Sequence, residues 1–134
     1  MLNKLSAKRR GGFTLVEIMI VVAIIALLAA IAVPGFLRAR KRSQASKVLN
    51  DLRLIDAAVD QYAIETGKVT GYSVDKTDWI KYVKKDTNLY STGADLFGNS
   101  YGQQMVDTLP KVPQATYDAL SDVTDDAFWS PFGH

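Results

Sequence analysis

The sequence predicts an α+β protein in which one long N-terminal helix, over about residues 13–66, is packed by a small C-terminal head with a short helix and a small antiparallel sheet. Three observations lead to this prediction. An apolar run without charged side chains extends from Ile18 to Leu37. Apolar residues recur at helical spacing over 45–66, and glycines and prolines separate short apolar segments after residue 67. The 134 residues have room for one compact core.

The apolar run is long enough to cross a membrane as a helix. At about 1.5 Å per residue, its length matches the ~30 Å hydrocarbon core of a bilayer. Twelve of its twenty residues are Leu, Ile, Val or Phe, and together they favour insertion by roughly 4–7 kcal/mol. Glu17, at the edge of the run, costs at most about 3 kcal/mol. The sequence therefore predicts one transmembrane helix.

Basic residues flank the apolar run on both sides. Those before it are Lys4, Lys8, Arg9 and Arg10, and those after it are Arg38, Arg40, Lys41 and Arg42. Equal flanking charge does not decide the orientation. A short basic segment ahead of the first apolar run is typical of a targeting signal, so the N-terminus is expected in the cytoplasm. The predicted organisation is a basic leader 1–12, a transmembrane half-helix 13–37 and a head 38–134 that includes the amphipathic half of the helix.

Proline inside a helix removes a hydrogen bond and clashes with the preceding turn. Pro34, followed by Gly35, is therefore expected to bend the helix rather than to end it. A stripe with alternating spacings of three and four residues supports continuation. Its members are Ala45, Val48, Leu52, Ile55, Val59, Tyr62 and Thr66. Gly67 is predicted to end the helix in a left-handed cap.

The remaining residues must cover this stripe. A second helix is predicted over 77–85, with Thr77 or Asp75 as its N-cap. A strand is predicted within 101–109. The segment 114–120 fits either a strand or a helix begun by Pro113. An aromatic cluster is expected to close the core, and its members are Phe128, Trp129 and Phe132.

Composition and motifs argue against an enzyme or a nucleic-acid binder. Without the four leader cations, the 16 basic side chains fall to 12, against 14 acidic ones, so no basic excess favours nucleic acid. There is no cysteine, and the only histidine is His134, which leaves no central imidazole for a Ser-His or Cys-His pair. Metalloprotease, P-loop and dinucleotide-binding motifs are absent. No cofactor is expected.

Glu17 has two interpretations. Thr14 and Glu17 fit the Thr-x-x-Glu capping box, and a carboxylate near a helix N-terminus is favoured by the dipole. An acid at the edge of a membrane helix also requires a cationic partner. A cut between Gly12 and Phe13 would create an α-amino group one turn from Glu17. In a row of identical helices, the amine of one subunit could neutralise the acid of its neighbour.

The string from Gly12 to Met19, with a basic leader before it and an apolar run to Pro34 after it, resembles the N-terminal region of type IV prepilins and type II secretion pseudopilins. The resemblance covers about residues 4–66 and implies a pilin-like fold. It implies that Gly12 precedes the bond cut by a prepilin peptidase, and that Phe13 becomes an N-methylated N-terminus. Glu17 would direct assembly. Gly11 departs from the pattern by doubling the usual glycine.

The resemblance also implies a structural filament subunit. Its expected partners are copies of itself, a prepilin peptidase, an inner-membrane assembly platform, minor pilins and the lipid bilayer. The subunit would first cross the cytoplasmic (inner) membrane once, and would later lie in a surface pilus. A major pseudopilin in a periplasmic filament of a type II secretion system is the alternative, and the N-terminal pattern does not separate the two.

Two further alternatives arise from the sequence. Ala30-Ile31-Ala32 satisfies an Ala-x-Ala signal-peptide site, so cleavage after Ala32 would release a soluble secreted domain. Glu17 interrupts the apolar region and argues against that reading. Some pseudopilins bind calcium in a C-terminal loop, and here the candidate ligands are Asp122, Asp125 and Asp126. Their spacing matches no EF-hand, and a solvated acidic loop is the favoured explanation.

Overall fold

The computed structural model describes residues 12–134 and has the predicted α+β architecture. Residues 1–11 of the predicted leader lie outside the described residues. The elements, in chain order, are α1 (Leu15–Thr66), β1 (Ser73–Val74), α2 (Lys76–Trp79), a 3-10 helix (Ile80–Tyr82), α3 (Asn88–Thr92), β2 (Gln104–Met105), α4 (Gln114–Leu120) and α5 (Asp126–Trp129). The chain divides into two compact units, with the boundary between Leu37 and Arg38.

Helix α1 confirms the main prediction from the sequence. It stays helical through Pro34, so continuation past the proline is confirmed, whereas the bend itself stays a prediction. It ends before Gly67, which has φ +67°. The Lys68 N–H donates to the Ala63 carbonyl at 3.0 Å and satisfies one of the last free carbonyls, as expected of a left-handed cap.

The buried face of α1 forms one side of the core of the second unit. Its buried residues are Ala45, Val48, Leu52, Ile55, Ala58, Val59 and Ala63. The predicted stripe is therefore right as far as Tyr62, which is half-buried and packs against the core, and wrong at Thr66, which is exposed. Ala63 lies four residues after Val59 on the same face and is the last buried residue of α1.

The head covers this face with short elements. β1 and β2 pair antiparallel, with Ser73 opposite Met105 and Val74 opposite Gln104, which confirms the small antiparallel sheet. The strand predicted within 101–109 is thus only two residues long. Asp107 has φ +61°, and such a conformation turns the chain out of an extended strand.

The predicted second helix is shorter than expected. α2 begins after Asp75, and the 3-10 helix ends before Val83, whose φ of −84° and ψ of 149° are extended. Asp75 is the N-cap position, but its side chain makes no cap bond. It accepts instead from Gln103 Nε2 at 2.7 Å. The segment 114–120, left open by the sequence, is helical and begins after Pro113.

The aromatic cluster closes the core as predicted. Trp129 and Phe132 are buried, and Phe128 meets Trp129 edge to face at 5.0 Å between ring centroids. Trp79 is fully buried, and its Nε1 donates to the Gly102 carbonyl at 3.0 Å. Two tryptophans therefore anchor the irregular head segments against α1.

Candidate functional site

The N-terminus of α1 is closed by two reciprocal hydrogen bonds between Thr14 and Glu17. The Glu17 N–H donates to Thr14 Oγ1 at 3.2 Å, and the Thr14 N–H donates to Glu17 Oε2 at 3.4 Å. The Ile18 N–H donates to the Thr14 carbonyl at 3.3 Å. These contacts form the capping box expected from the sequence, and they satisfy two donors that the first turn would otherwise leave free.

The capping box does not neutralise Glu17. Within residues 12–134, the ion pairs join Lys41 to Asp122 and Lys81 to Asp78, and none includes Glu17. An amide donor compensates only part of the cost of moving a carboxylate into an apolar environment. The two interpretations of Glu17 are therefore compatible, because a single chain can form the cap and still present a negative charge to a neighbour.

The apolar half of α1 has no cover within its own unit. Every residue over 13–37 is exposed, including Phe13 at 80% and Leu15 at 83%. The most apolar 18-residue stretch of α1 has a mean hydropathy of 3.0, and none of it is buried. By length and composition, α1 could cross a membrane. Monomeric soluble proteins rarely leave such a surface open, so this segment requires lipid or other protein around it.

The candidate calcium ligands are each engaged with protein groups. Asp122 Oδ2 lies 2.8 Å from Lys41 Nζ, and Asp125 Oδ1 caps α5 by accepting from the Phe128 N–H at 2.9 Å. Asp126 Oδ1 accepts from the Tyr117 hydroxyl at 2.5 Å. Over residues 12–134, no three His, Cys, Asp or Glu side chains are grouped to hold a metal ion. Capping and pairing account for these three acids.

Sequence reasoning missed a buried polar cluster that fixes the loop before β2. Asp95 is 2% exposed, and its Oδ1 accepts from the backbone N–H groups of Phe97 and Asn99, each at 2.9 Å. Its Oδ2 accepts from the Thr116 hydroxyl, which links the loop to α4. The signal was an aspartate ahead of Gly98-Asn99, the composition of a turn stabilised by a side chain.

A second polar contact joins this loop to α1. The Tyr101 hydroxyl donates to Asp51 Oδ2 at 3.1 Å. Burial raises the pKa of Asp51; the Tyr101 hydrogen bond opposes this shift, and the nearby Asp95 charge adds to it. Burial, followed by the charge of Asp51, likewise raises the pKa of Tyr101. Ionisation of the half-buried Asp51 carboxylate is therefore unfavourable in the folded state.

Asp51→Asn is expected to stabilise the head at neutral pH. A raised folded-state pKa means that the contribution of Asp51 is fully present below its unfolded pKa and is lost as pH rises through the folded value. Asparagine stays neutral and keeps an oxygen acceptor for Tyr101. Thermal unfolding should show a higher melting temperature for the variant at pH 7. The difference should shrink as pH falls through the raised folded-state pKa of Asp51, and the pH-dependent part should be gone below the ordinary value of 3.8. Asp86→Asn, which removes an exposed carboxylate, is the control. A variant less stable than the wild type at pH 7 contradicts this account.

Comparisons with known proteins match one family model near the N-terminus and several relatives over about half of the chain. Residues 7–33 match the family model described as the prokaryotic N-terminal methylation motif. The type IV major pilin protein PilA of Myxococcus xanthus is 40% identical over 65 residues, which are 48% of this chain and 30% of that protein. The type IV major fimbrial protein FimA of Dichelobacter nodosus is 45% identical over 60 residues, 45% of this chain and 38% of that protein.

A secretion protein is similar over a comparable length of the chain. The type II secretion system core protein G of Klebsiella pneumoniae is 34% identical over 61 residues, 46% of this chain and 44% of that protein. The chain thus spans less than half the length of these relatives. No solved structure matches the chain significantly. The methylation motif, the apolar N-terminal helix and these relatives support a relationship to type IV prepilins and type II secretion pseudopilins.

Proposed function

We propose that this protein is a structural subunit of a type IV pilus or a pilus-like filament, which is cut after Gly12 and polymerises through the apolar half of α1. The observation that carries the proposal is the wholly exposed apolar segment 13–37, with Glu17 near its start and no ion pair to Glu17 among residues 12–134. We assign no catalytic role to any residue.

The proposed route begins in the cytoplasmic membrane. A prepilin peptidase removes residues 1–12, and the new α-amino group of Phe13 is methylated. The subunit stays in the bilayer through α1 until an assembly platform, together with minor pilins, extracts it. Because the bilayer and the filament interior are both apolar, the segment exchanges lipid neighbours for protein neighbours without exposure to water. Contacts that repeat head to tail and do not close into a ring generate a helical fibre.

In the filament, the amine of Phe13 would pair with Glu17 of a neighbouring copy. The capping box supports this role because it holds the Glu17 side chain at the start of α1 against Thr14, the residue that follows Phe13. A charge pair excluded from water is strong only when both partners are present, since either group alone is costly there. Pairing would therefore favour the assembled state and penalise misaligned neighbours.

The second candidate is a major pseudopilin of a type II secretion system, with a short periplasmic filament. The similarity to core protein G favours it, and the pilin relatives favour a surface pilus. Imaging of cells for long surface fibres distinguishes the two. The soluble secreted domain, released after Ala32, is the alternative of another class. It would leave the exposed apolar segment and the capping box without a role in the mature protein.

Gly12→Val is expected to block processing, because a bulky side chain next to the cut bond hinders access of the peptidase to the backbone. On co-expression with a prepilin peptidase, the wild type should lose 12 residues, measured as a mass shift of the intact protein, and the variant should stay full-length in the membrane. Gly11→Val is the matched control, since Gly11 lies one residue further from the proposed cut. Normal cleavage of Gly12→Val, with blocked cleavage of Gly11→Val, would contradict the assigned position.

A further inference from the structure

A cluster of cations begins directly after the apolar half of α1. We call it the basic collar, and its members are Arg38, Arg40, Lys41 and Arg42. The three arginines are exposed, and Lys41 is half-buried. Within the described residues, only Lys41 of the four is ion-paired, to Asp122. Three guanidinium groups thus point to solvent without a protein partner of opposite charge in residues 12–134.

The four clustered cations of the collar do not stabilise α1. Arg38 and Arg42 are four residues apart on one face, where like charges destabilise a helix by roughly 0.2–0.5 kcal/mol. The collar lies inside α1, far from the C-terminal end at Thr66, where the dipole would stabilise cations. Local helix energetics therefore oppose four cations in five positions, and an external anion would offset that cost.

The position of the collar favours one source of anions. Twenty uncharged residues, Ile18–Leu37, fill about 30 Å of hydrocarbon when helical. Residues 38–42 then follow at the depth of the lipid phosphates. Guanidinium groups suit phosphate oxygens because they donate parallel hydrogen bonds in a planar fork. Carboxylates on a second copy of the chain are also negatively charged, but nothing fixes them at the membrane depth of the collar.

We propose that the basic collar binds the phosphate groups of anionic phospholipids at the bilayer face from which α1 emerges, and that Asp122 competes with these lipids for Lys41. This inference rests on the membrane anchoring in the proposed function.

The acid that competes with lipid for Lys41 is Asp122, a residue of the head. Asp122 Oδ2 lies 2.8 Å from Lys41 Nζ, and both side chains are about half exposed, at 55% and 42%. The hydrogen bond from Lys41, with Arg38 adding its charge, lowers the pKa of Asp122, so the carboxylate is ionised at neutral pH.

The inference is tested with the full chain in mixed micelles that contain phosphatidylglycerol and phosphatidylcholine of identical acyl chains. Native mass spectrometry counts the lipids bound to each protein. Phosphatidylglycerol is expected to bind preferentially, and each of Arg38→Gln and Arg42→Gln should weaken its binding about fivefold. Asp122→Asn should strengthen it by freeing Lys41. Arg53→Gln, at an exposed arginine three turns further along α1, should change nothing.

Three results would overturn the inference. Equal binding of the two lipids by a chain that resists carbonate extraction from membranes contradicts the collar while leaving membrane anchoring intact. Release of the chain by carbonate contradicts the anchoring itself, and the collar with it. The third result combines two measurements. If collar variants lose chemical cross-links between copies in phosphatidylcholine alone, and bind phosphatidylglycerol like the wild type in mixed micelles, the collar belongs to a contact between subunits instead.

Discussion

Glu17→Ala is expected to abolish filament assembly while the precursor still inserts into the membrane and loses its leader. Insertion should persist, because removing a charge from the edge of an apolar segment makes the segment more apolar. Assembly should fail, because the Phe13 amine of each neighbour would be buried without its partner. Truncating one side of a buried charge pair costs about 2–5 kcal/mol, which raises the subunit concentration needed for growth by about thirtyfold or more. Sheared fibres, quantified by electron microscopy and immunoblotting, provide the measurement.

Two further variants separate charge from capping. Glu17→Gln keeps an oxygen that accepts from the Thr14 N–H but removes the charge, and it should fail to assemble like the alanine variant. Thr14→Ala removes the Thr14 Oγ1 acceptor, which costs about 1 kcal/mol of helix stability, and it leaves the charge in place. Fibres should form in this variant at reduced yield. Full assembly of Glu17→Gln would show that the capping box, rather than charge pairing, is the role of this residue.

Trp79→Ala is expected to destabilise the head by about 3–5 kcal/mol, a large part of the 5–15 kcal/mol typical of a domain. Trp79 is completely buried, and its indole N–H is bonded to the Gly102 carbonyl. The variant loses packing in the core cluster to which the buried face of α1 also belongs, and it leaves that carbonyl without its donor. Thermal unfolding of the purified chain in detergent, followed by near-ultraviolet circular dichroism, should show a melting temperature lower by more than about 10 °C.

Trp79→Phe is the matched control for this prediction. It keeps an aromatic ring in the core and removes the indole N–H, so the loss should be clearly smaller than for alanine. Membrane insertion and leader removal should be unaffected in both variants, because Trp79 belongs to the unit that begins at Arg38. A melting temperature of Trp79→Ala within two degrees or so of the wild type would contradict the assignment of Trp79 to the core.

The long helix could be predicted from the sequence because its signals are strong and local. A continuous apolar run, a stripe at helical spacing and Gly67 place both ends of α1 within two residues of their observed positions. The stripe failed only at Thr66, where periodicity cannot distinguish a buried position from the last exposed turn. Burial there depends on how far the head reaches along the helix, which is a tertiary property.

The head was harder to predict because its elements are short and defined by side-chain contacts. α3 was missed, since Asn88–Thr92 has weak helix formers and no apolar period. It exists because the Thr87 side chain accepts from the Tyr90 N–H at its start and Gly93, at φ +63°, ends it. The overlong strand prediction followed the apolar residues of 101–109 and could not include the positive φ of Asp107.

Only part of the candidate site could be predicted from local sequence patterns. The capping box was predictable from Thr14 and Glu17 alone, because both partners lie in one turn. The proposed partner of the Glu17 charge belongs to another copy of the chain, so residues 12–134 of a single chain show only an acid without an ion pair and the exposed apolar segment. The polar cluster around Asp95 joins residues that are 21 positions apart in the sequence, a separation that local patterns do not reveal.

The central claim is that segment 13–37 stays on the mature subunit and exchanges lipid for other subunits. Intact-mass and N-terminal sequencing by mass spectrometry, applied to the mature protein from both membranes and sheared fibres, tests it most directly. The account predicts one species in both fractions that begins with N-methylated Phe13. A mature protein that begins at Val33, stays in solution and never enters a polymer would contradict it.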